Sequence, residues 1–420
     1  MPPKKHNNKN NNNQSNKPHD KKHKKQAEED EFEKLLSDLT KVTKQVGQEK
    51  EKQQQHDEQI RAEIQKKHED LLKKKEPTHR LEEELVKHQR KMEFQDLLRK
   101  LMMAQRPFLD APKEDFSHES DNSNPHFKAT VGAMQGWRNS MEDNHFIHVH
   151  LAAGDATEGL FGVFDGHSGK QSADLCSKQL PALCAAKRSG AGAAIDFEAA
   201  YLAMDAALQR DVKDGSGCTA VVVHVSAGAV RCASVGDSRA VLCQELVDAA
   251  AAGAAAPGVD EVTVAGRTFR VHALAHDHKP EVEAERARIV AAGGFVEDNR
   301  VNGQLAMSRA LGDFSYKTNQ ERGVDAQLVI PVPTVLEVPR GAAGVADRFV
   351  VLACDGIFDV LRNEELVRLV LEKKLEAQLD NVQCCEAVCR HCLAPPDGAS
   401  GQPSRAEGTD NMTVMIVDLE

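Results

Sequence analysis

Two apolar runs, far apart in the chain, stop in the same way. In FGVFDGHSGK the run gives way to Asp165 and Gly166, and in RFVVLACDGIFDV a longer run gives way to Asp355 and Gly356. A short unbroken apolar run bounded by turn residues reads as a strand buried on both faces. A bare carboxylate at the end of such a strand costs several kcal/mol unless something positive meets it. One such strand end is a curiosity, but two of them point to a shared partner.

After about residue 125 the chain alternates short apolar runs with glycine. Strands are expected at residues 129–134, 159–164, 219–225, 230–235, 348–353 and 412–417, and helices around 169–183, 195–214, 282–292 and 364–373. Connections such as VSAGAV and VAGR are hairpin turns, too short for helical crossovers, so the sheets are expected to be antiparallel with helices packed outside them. The alanine-rich stretch 247–260 reads as a surface loop or weak helix inserted before a hairpin. In CCEAVCRHC, Cys385, Cys389 and Cys392 fall at helical spacing on one face. With His391 they could be argued as a zinc site, but paired C-x-x-C knuckles are missing, so a helix packing its apolar face is expected.

The first part of the chain differs in kind. Residues 1–26 form a basic tail with Lys4, Lys5, Lys9, Lys17, Lys21, Lys22, Lys24 and Lys25 among Asn and His. It is expected to be disordered, either a nuclear-localisation or polyanion-binding arm or a plain solubilising tail. Residues 27–105 are charged and helical in pattern. Leu35, Leu39, Val42 and Val46 follow the spacing of a coiled-coil seam, which Ile60, Ile64 and Leu71 partly resume before Pro77 interrupts. A second helix carries Leu81, Leu85, Leu97, Leu98 and Leu101. The pattern fits an extension that self-associates or binds a helical partner, or an isolated charged helix. Residues 106–126, with three prolines, read as a linker.

The net charge of -11 argues against a nucleic-acid-binding body, and no run of about 18 apolar residues marks a membrane span. The start, MPPKKHNNKN, has neither the apolar core of a signal peptide nor a glycine for myristoylation. An intracellular chain, cytoplasmic and/or nuclear, is expected, with its ten cysteines reduced.

Five aspartates stand beside or near glycines at apparent strand ends or turns: Asp165 (FDG), Asp237 (VGDSRA), Asp313 (LGD), Asp355 (CDG) and Asp410 (GTDNM). Each alone is an ordinary turn residue. Converging at one end of a sheet, they would repel one another unless cations sat between them. Carboxylates without a His or Cys cluster select hard ions, Mg²⁺ or Mn²⁺. Two such ions about 3.5 to 4 Å apart can lower the pKa of a shared water and aim it at phosphorus. Hydrolysis of a phosphate ester also needs a cation for the phosphate oxygens and a proton donor for the leaving alkoxide. Arg138 in MQGWRNSMED and His167 in FDGHSG are of the right types.

MQGWRNSMEDNH, FGVFDGHSGK, SGCTAVVV, VGDSRAVL, HDHKPEVEAERARIVAAGGFV, RVNGQLAMSRALGDFSYK, VLACDGIFDV and GTDNMTVMIV occur in this order. Over residues 127–420 the chain thereby resembles the type 2C family of metal-dependent protein serine/threonine phosphatases. The resemblance implies an α+β fold, an α/β/β/α sandwich of two antiparallel sheets flanked by helices, with the metals in a cleft at one edge. By motif, Asp165 bridges both ions and the Gly166 carbonyl is a further ligand of one. Glu142 reaches that ion mostly through water, and Asp143 orients its water shell. Asp313, Asp355 and Asp410 hold the other ion, and Asp237 with Asp313 resembles the looser third-metal site of some members. Arg138 binds the phosphate and His167 protonates the leaving oxygen. Asn411, Ser238 and Arg239 are expected to shape turns, and His276 and His278 to lead into a helix.

The implied activity is removal of phosphate from phosphoserine and phosphothreonine in proteins. The different-class alternative is a catalytically silent member that binds or scaffolds through its N-terminal helices, which loss of a ligand or of the arginine would signal. Neither is lost. A small phosphorylated metabolite is a third substrate class open to the same chemistry. In AQLVIPVPTV, Pro333 and Thr334 replace the Pro-Asp pair of many relatives, which bears on peptide binding and not on the ligands.

Overall fold

The computed structural model describes residues 108–419 apart from 152–155, 189, 191–193, 249, 251–252 and 399. The basic tail, the coiled-coil seam and the second N-terminal helix lie outside the described residues. The unit described below is Met102–Glu420.

In chain order its strands are β1 (Lys113–Asp121), β2 (Phe127–Gly136), β3 (Asn144–His148), β4 (Gly159–Phe164), β5 (Gly166–His167), β6 (Gly217–Cys218), β7 (Ala220–Val225), β8 (Ala229–Val235) and β9 (Arg239–Leu246). They continue with β10 (Asp260–Val264), β11 (Arg267–Ala273), β12 (Val296–Glu297), β13 (Arg300–Val301), β14 (Leu311–Gly312), β15 (Thr334–Pro339), β16 (Val345–Ala353) and β17 (Met412–Leu419). The helices are α1 (Gln171–Ala186), α2 (Phe197–Asp211), α3 (Glu283–Ala291), α4 (Asp355–Phe358), α5 (Asn363–Leu371) and α6 (Asn381–Cys392).

A seven-stranded sheet, β1-β2-β17-β16-β9-β11-β10, faces a five-stranded sheet, β15-β8-β7-β4-β3, and every pairing within them is antiparallel. The layers follow from which side chains each strand sends where. Phe161 and Val163 of β4 join Val223, Leu242, Leu352 and Met415 between the sheets, while Leu160 and Phe164 turn outward to meet Leu180, Tyr201 and Met204 of α1 and α2. On β16, Val350 and Leu352 point inward, and Phe349 and Val351 pack on Leu366, Val370 and Cys385 of α5 and α6. Both faces are therefore apolar, which is why these runs do not alternate. Each large side chain so buried contributes about 1.5–3 kcal/mol.

All ten cysteines are buried free thiols. Cys384, Cys385, Cys389 and Cys392 sink one face of α6 into the core, and His391 beside them is exposed. The helix begins with a reciprocal cap, in which the Asp380 side chain accepts from Gln383 N and Gln383 Oε1 accepts from Asp380 N.

One expectation is corrected. Within 106–126, read as a linker, β1 pairs along β2 from Lys113↔Gly136 to Asp121↔Ala129, with one register shift. KEDFSHESD is an edge strand with nearly every side chain exposed, so it shows no apolar alternation and its backbone ladder is silent in the sequence. Phe116 alone packs inward, against Cys385, where Gly132 leaves room for its ring.

Residues between β11 and β15 build a small core of their own from Ile289, Val301, Met307, Ala310 and Val329. Beside it the buried Glu285 accepts from Arg309 Nε (3.0 Å) and Nη2 (2.5 Å), from Ser308 Oγ (2.6 Å) and from Arg288. Burial alone would raise the Glu285 pKa, but these partners outweigh it and bring it down to about 2. Its stabilisation is thus fully present above the ordinary glutamate value and is lost as pH falls toward about 2. Glu285→Gln is expected to lower unfolding free energy by about 2 kcal/mol in a denaturant titration, because two guanidinium groups lose a charged acceptor. Thr334, in the departed position, receives a specific partner here. His278 Nε2 lies 2.8 Å from its hydroxyl, and burial, then Arg309, pushes the His278 pKa down to about 4, so the ring is neutral at pH 7.

Candidate metal centre

Asp165 follows the last residue of β4, and its backbone is pinned from both sides. Its N–H donates to Thr219 Oγ1 (3.0 Å) and its carbonyl accepts from Thr219 N (2.9 Å). Thr219, expected inside a strand, instead occupies the break between β6 and β7, with its hydroxyl 2.7 Å from that of Ser238. Asp355, expected simply as a strand end, opens the short helix α4 directly after Cys354.

Around these two the remaining carboxylates crowd. Burial first, then the charges of Asp355, Asp143, Asp410 and Asp237, hold the Asp165 carboxyl well above the usual carboxylate range. Asp355 is raised likewise, by burial, then Asp237, Asp410 and Asp359. Asp143 is pushed up to about 7, mainly by burial, although Thr413 Oγ1 donates to it at 2.7 Å. Buried oxygens of Asp237 and Asp355 (Oδ1 of each) have no hydrogen-bond partner among the described residues. Carboxylates that repel each other and retain orphan oxygens are a donor set for hard divalent cations, and the site fits them.

Two glycines allow the crowding. A Cβ on Gly166 would strike the Glu142 carbonyl, and one on Gly356 the Asn411 carbonyl. Asn411 shapes the loop that carries Glu142 and Asp143. Its Oδ1 accepts from Glu142 N (2.9 Å), and its Nδ2 donates to the carbonyls of Gln135 (2.8 Å) and Ser140 (2.9 Å). The Glu142 carboxylate accepts from Ser140 Oγ (2.7 Å) and Gly169 N (3.1 Å). Arg138, half exposed, pairs with Asp410 at 2.5 Å and so stands at the rim of the cluster.

His167 lies in a three-stranded ribbon, β14-β6-β5, where it pairs with Gly217, which pairs in turn with Gly312. Its Nε2 is 2.7 Å from Asp313 Oδ2. Burial lowers the His167 pKa, but the Asp313 bond and the charges of Asp313, Asp237 and Glu142 outweigh it and leave the pKa raised. The pair spans Gly217, whose Cβ would run into both Asp313 Oδ2 and His167 Nε2. Gly217→Ala is accordingly expected to reduce turnover about tenfold, the equivalent of one lost hydrogen bond, with the fold retained by circular dichroism.

Of the ten residues singled out in the sequence, Asp143, Asp165, Asp237, Asp355 and Asp410 crowd together, Gly166 lies against Glu142, Arg138 pairs with Asp410, and Asp313 meets His167. Two others were not foreseen. Lys279 donates to Asp237 at 2.5 Å, while Arg239 makes a bidentate pair with Asp277 (2.6 and 2.8 Å) over the Phe358 ring. Cys354 Sγ lies within 4.8 Å of Asp143 and Asp165 oxygens. Burial holds that thiol well above its usual range, and it packs against Asn411 O and Thr413 N, so it serves as a neutral wall of the site. Lys279 stands inside the HDHKP motif and Cys354 inside CDG, but neither was given a role there.

Comparison with known proteins points one way. The family model of Protein phosphatase 2C matches residues 127–398. The chain is 37% identical over 302 residues to a probable protein phosphatase 2C of Caenorhabditis elegans, covering 71% of this chain and 76% of that protein. It is 36% identical over 329 residues to Protein phosphatase 1B of Mus musculus, covering 74% of each. In fold it is similar to the crystal structure of a serine-threonine phosphatase 2C from Toxoplasma gondii, with TM-score 0.52 at 22% identity, over 73% of this chain and 99% of that one.

Proposed function

The chain belongs to the protein phosphatase 2C family of metal-dependent protein serine/threonine phosphatases, and from that premise we propose that it hydrolyses phosphoserine and phosphothreonine in proteins with two Mg²⁺ or Mn²⁺ ions at the carboxylate cluster. The observation that carries the reading is the crowding of Asp143, Asp165 and Asp355, each raised in pKa, around buried oxygens without partners.

The ions would supply Lewis acidity toward water and phosphate. Asp165 and the Gly166 carbonyl, with Glu142 and Asp143, would hold one, and Asp165 with Asp313, Asp355 and Asp410 the other. Asp237 and Asp313 are suited to a looser third. Arg138 keeps N–H donors beyond its Asp410 bond and lies half exposed, placed to bind two phosphate oxygens. His167, with its raised pKa, carries the proton that the departing serine or threonine oxygen needs. A silent binding protein would have no use for this set, and each member of it is present.

Substrate class is tested by comparing kcat/KM on a phosphothreonine peptide with that on sugar phosphates, both in Mn²⁺. Preference for the peptide is expected. Equal or better hydrolysis of sugar phosphates would replace the protein substrate with a metabolite.

A further inference from the structure

The turn carrying Asp313 is held from outside the metal centre. Gly312 and Asp313 are consecutive residues in the left-handed region, at φ +82° and +52°, where a residue with a side chain is unfavourable. Something must hold such a turn. Asp205, on α2, accepts Gly312 N–H at 2.8 Å through Oδ1, and the same oxygen accepts from Lys317 Nζ at 2.7 Å. Lys317 Nζ also donates to the Ala310 carbonyl (2.9 Å) and lies 5.3 Å from the centre of the Phe314 ring. The Asp205 and Lys317 side chains are only 12% and 7% exposed. The chain is thus gripped on both sides of Asp313, whose Oδ2 is the partner of His167 Nε2.

We propose that Asp205, acting with Lys317, is a positioning residue for His167. It fixes the Gly312–Asp313 turn, and the turn presents Asp313 to His167 Nε2 and so sets the ring that protonates the leaving oxygen. Asp205 itself reaches no reacting group. The inference rests on the proton-donor role assigned to His167 above. A buried ion pair that served packing alone would stabilise α2 against the turn without distinguishing one substrate from another.

The full chain is assayed in Mn²⁺ with a phosphothreonine peptide, whose alkoxide leaves poorly, and with p-nitrophenyl phosphate, whose phenolate needs no proton. Asp205→Asn is expected to lower kcat for the peptide on the order of tenfold with KM nearly unchanged, and to alter p-nitrophenyl phosphate turnover by less than about twofold. Lys317→Met should reproduce the selectivity, Lys317→Arg should restore most of it, and Asp205→Asn should add nothing in a His167→Ala background. If Asp205→Asn does not fold, Lys317→Met with the Arg rescue decides. Equal losses on both substrates, or a full additive loss in the His167→Ala background, would overturn the positioning role while leaving His167 as the acid. Should His167→Ala itself fail to separate the substrates, the acid assignment falls and the positioning role with it.

Discussion

Asp165→Asn abolishes hydrolysis and at the same time makes the metal-free protein harder to melt. Both halves come from one cause. Asp165 is the carboxylate that the charges of Asp355, Asp143, Asp410 and Asp237 all press upon. Removing its charge relieves that repulsion where no ion offsets it, and removes the central ligand where one would. A loss of activity on the order of 10³-fold or more is expected, corresponding to about 4 kcal/mol of transition-state stabilisation. The pH dependence has a definite sign. Asp143 is raised to about 7, above its unfolded value, so the native state binds more protons between the two and metal-free stability falls as pH rises through that window. Melting in EDTA from about pH 5 to about pH 7.5 should show this fall in the parent chain and a flatter profile in Asp165→Asn. Added Mn²⁺ should reverse the slope in the parent alone, because the ions bind deprotonated carboxylates. A variant that melts lower than its parent in EDTA would contradict the picture of repulsion.

His167→Ala gives the second large effect, and it depends on the leaving group. Phosphothreonine peptide hydrolysis should slow by roughly 10² or more, and p-nitrophenyl phosphate much less, because protonation matters most for a poor leaving group. The 2.7 Å bond to Asp313 keeps the ring oriented and, with the neighbouring carboxylate charges, outweighs burial to raise its pKa. Equal losses on the two substrates would remove the role.

Much of this site was legible before any coordinates, because its chemistry leaves local marks. An apolar run closed by Asp-Gly is visible in one dimension, since burial on both faces removes alternation and a carboxylate next to Gly marks a close approach. Asp165 and Asp355 were found that way. Partners chosen by tertiary packing leave no such mark. Lys279 reaches Asp237 across 42 positions, Lys317 reaches Asp205 across 112, and nothing in either neighbourhood announces the pairing. The edge strand β1 was hidden for the opposite reason, as its exposed polar side chains resemble a linker while its backbone does the pairing. The cysteines of α6 were correctly read from their spacing, because a helical face of small apolar residues needs only the period to identify it.

The central claim is that a divalent ion at the carboxylate cluster is what makes this chain a phosphatase. It is tested most directly by stripping the purified protein with EDTA, removing the chelator and following phosphate release from a phosphothreonine peptide as Mn²⁺ is added, with Asp165→Asn alongside. Activity absent at the start, restored in proportion to site occupancy in the parent and never restored in the variant, is the predicted result. Phosphate release by the stripped parent, or equal restoration in Asp165→Asn, would contradict it.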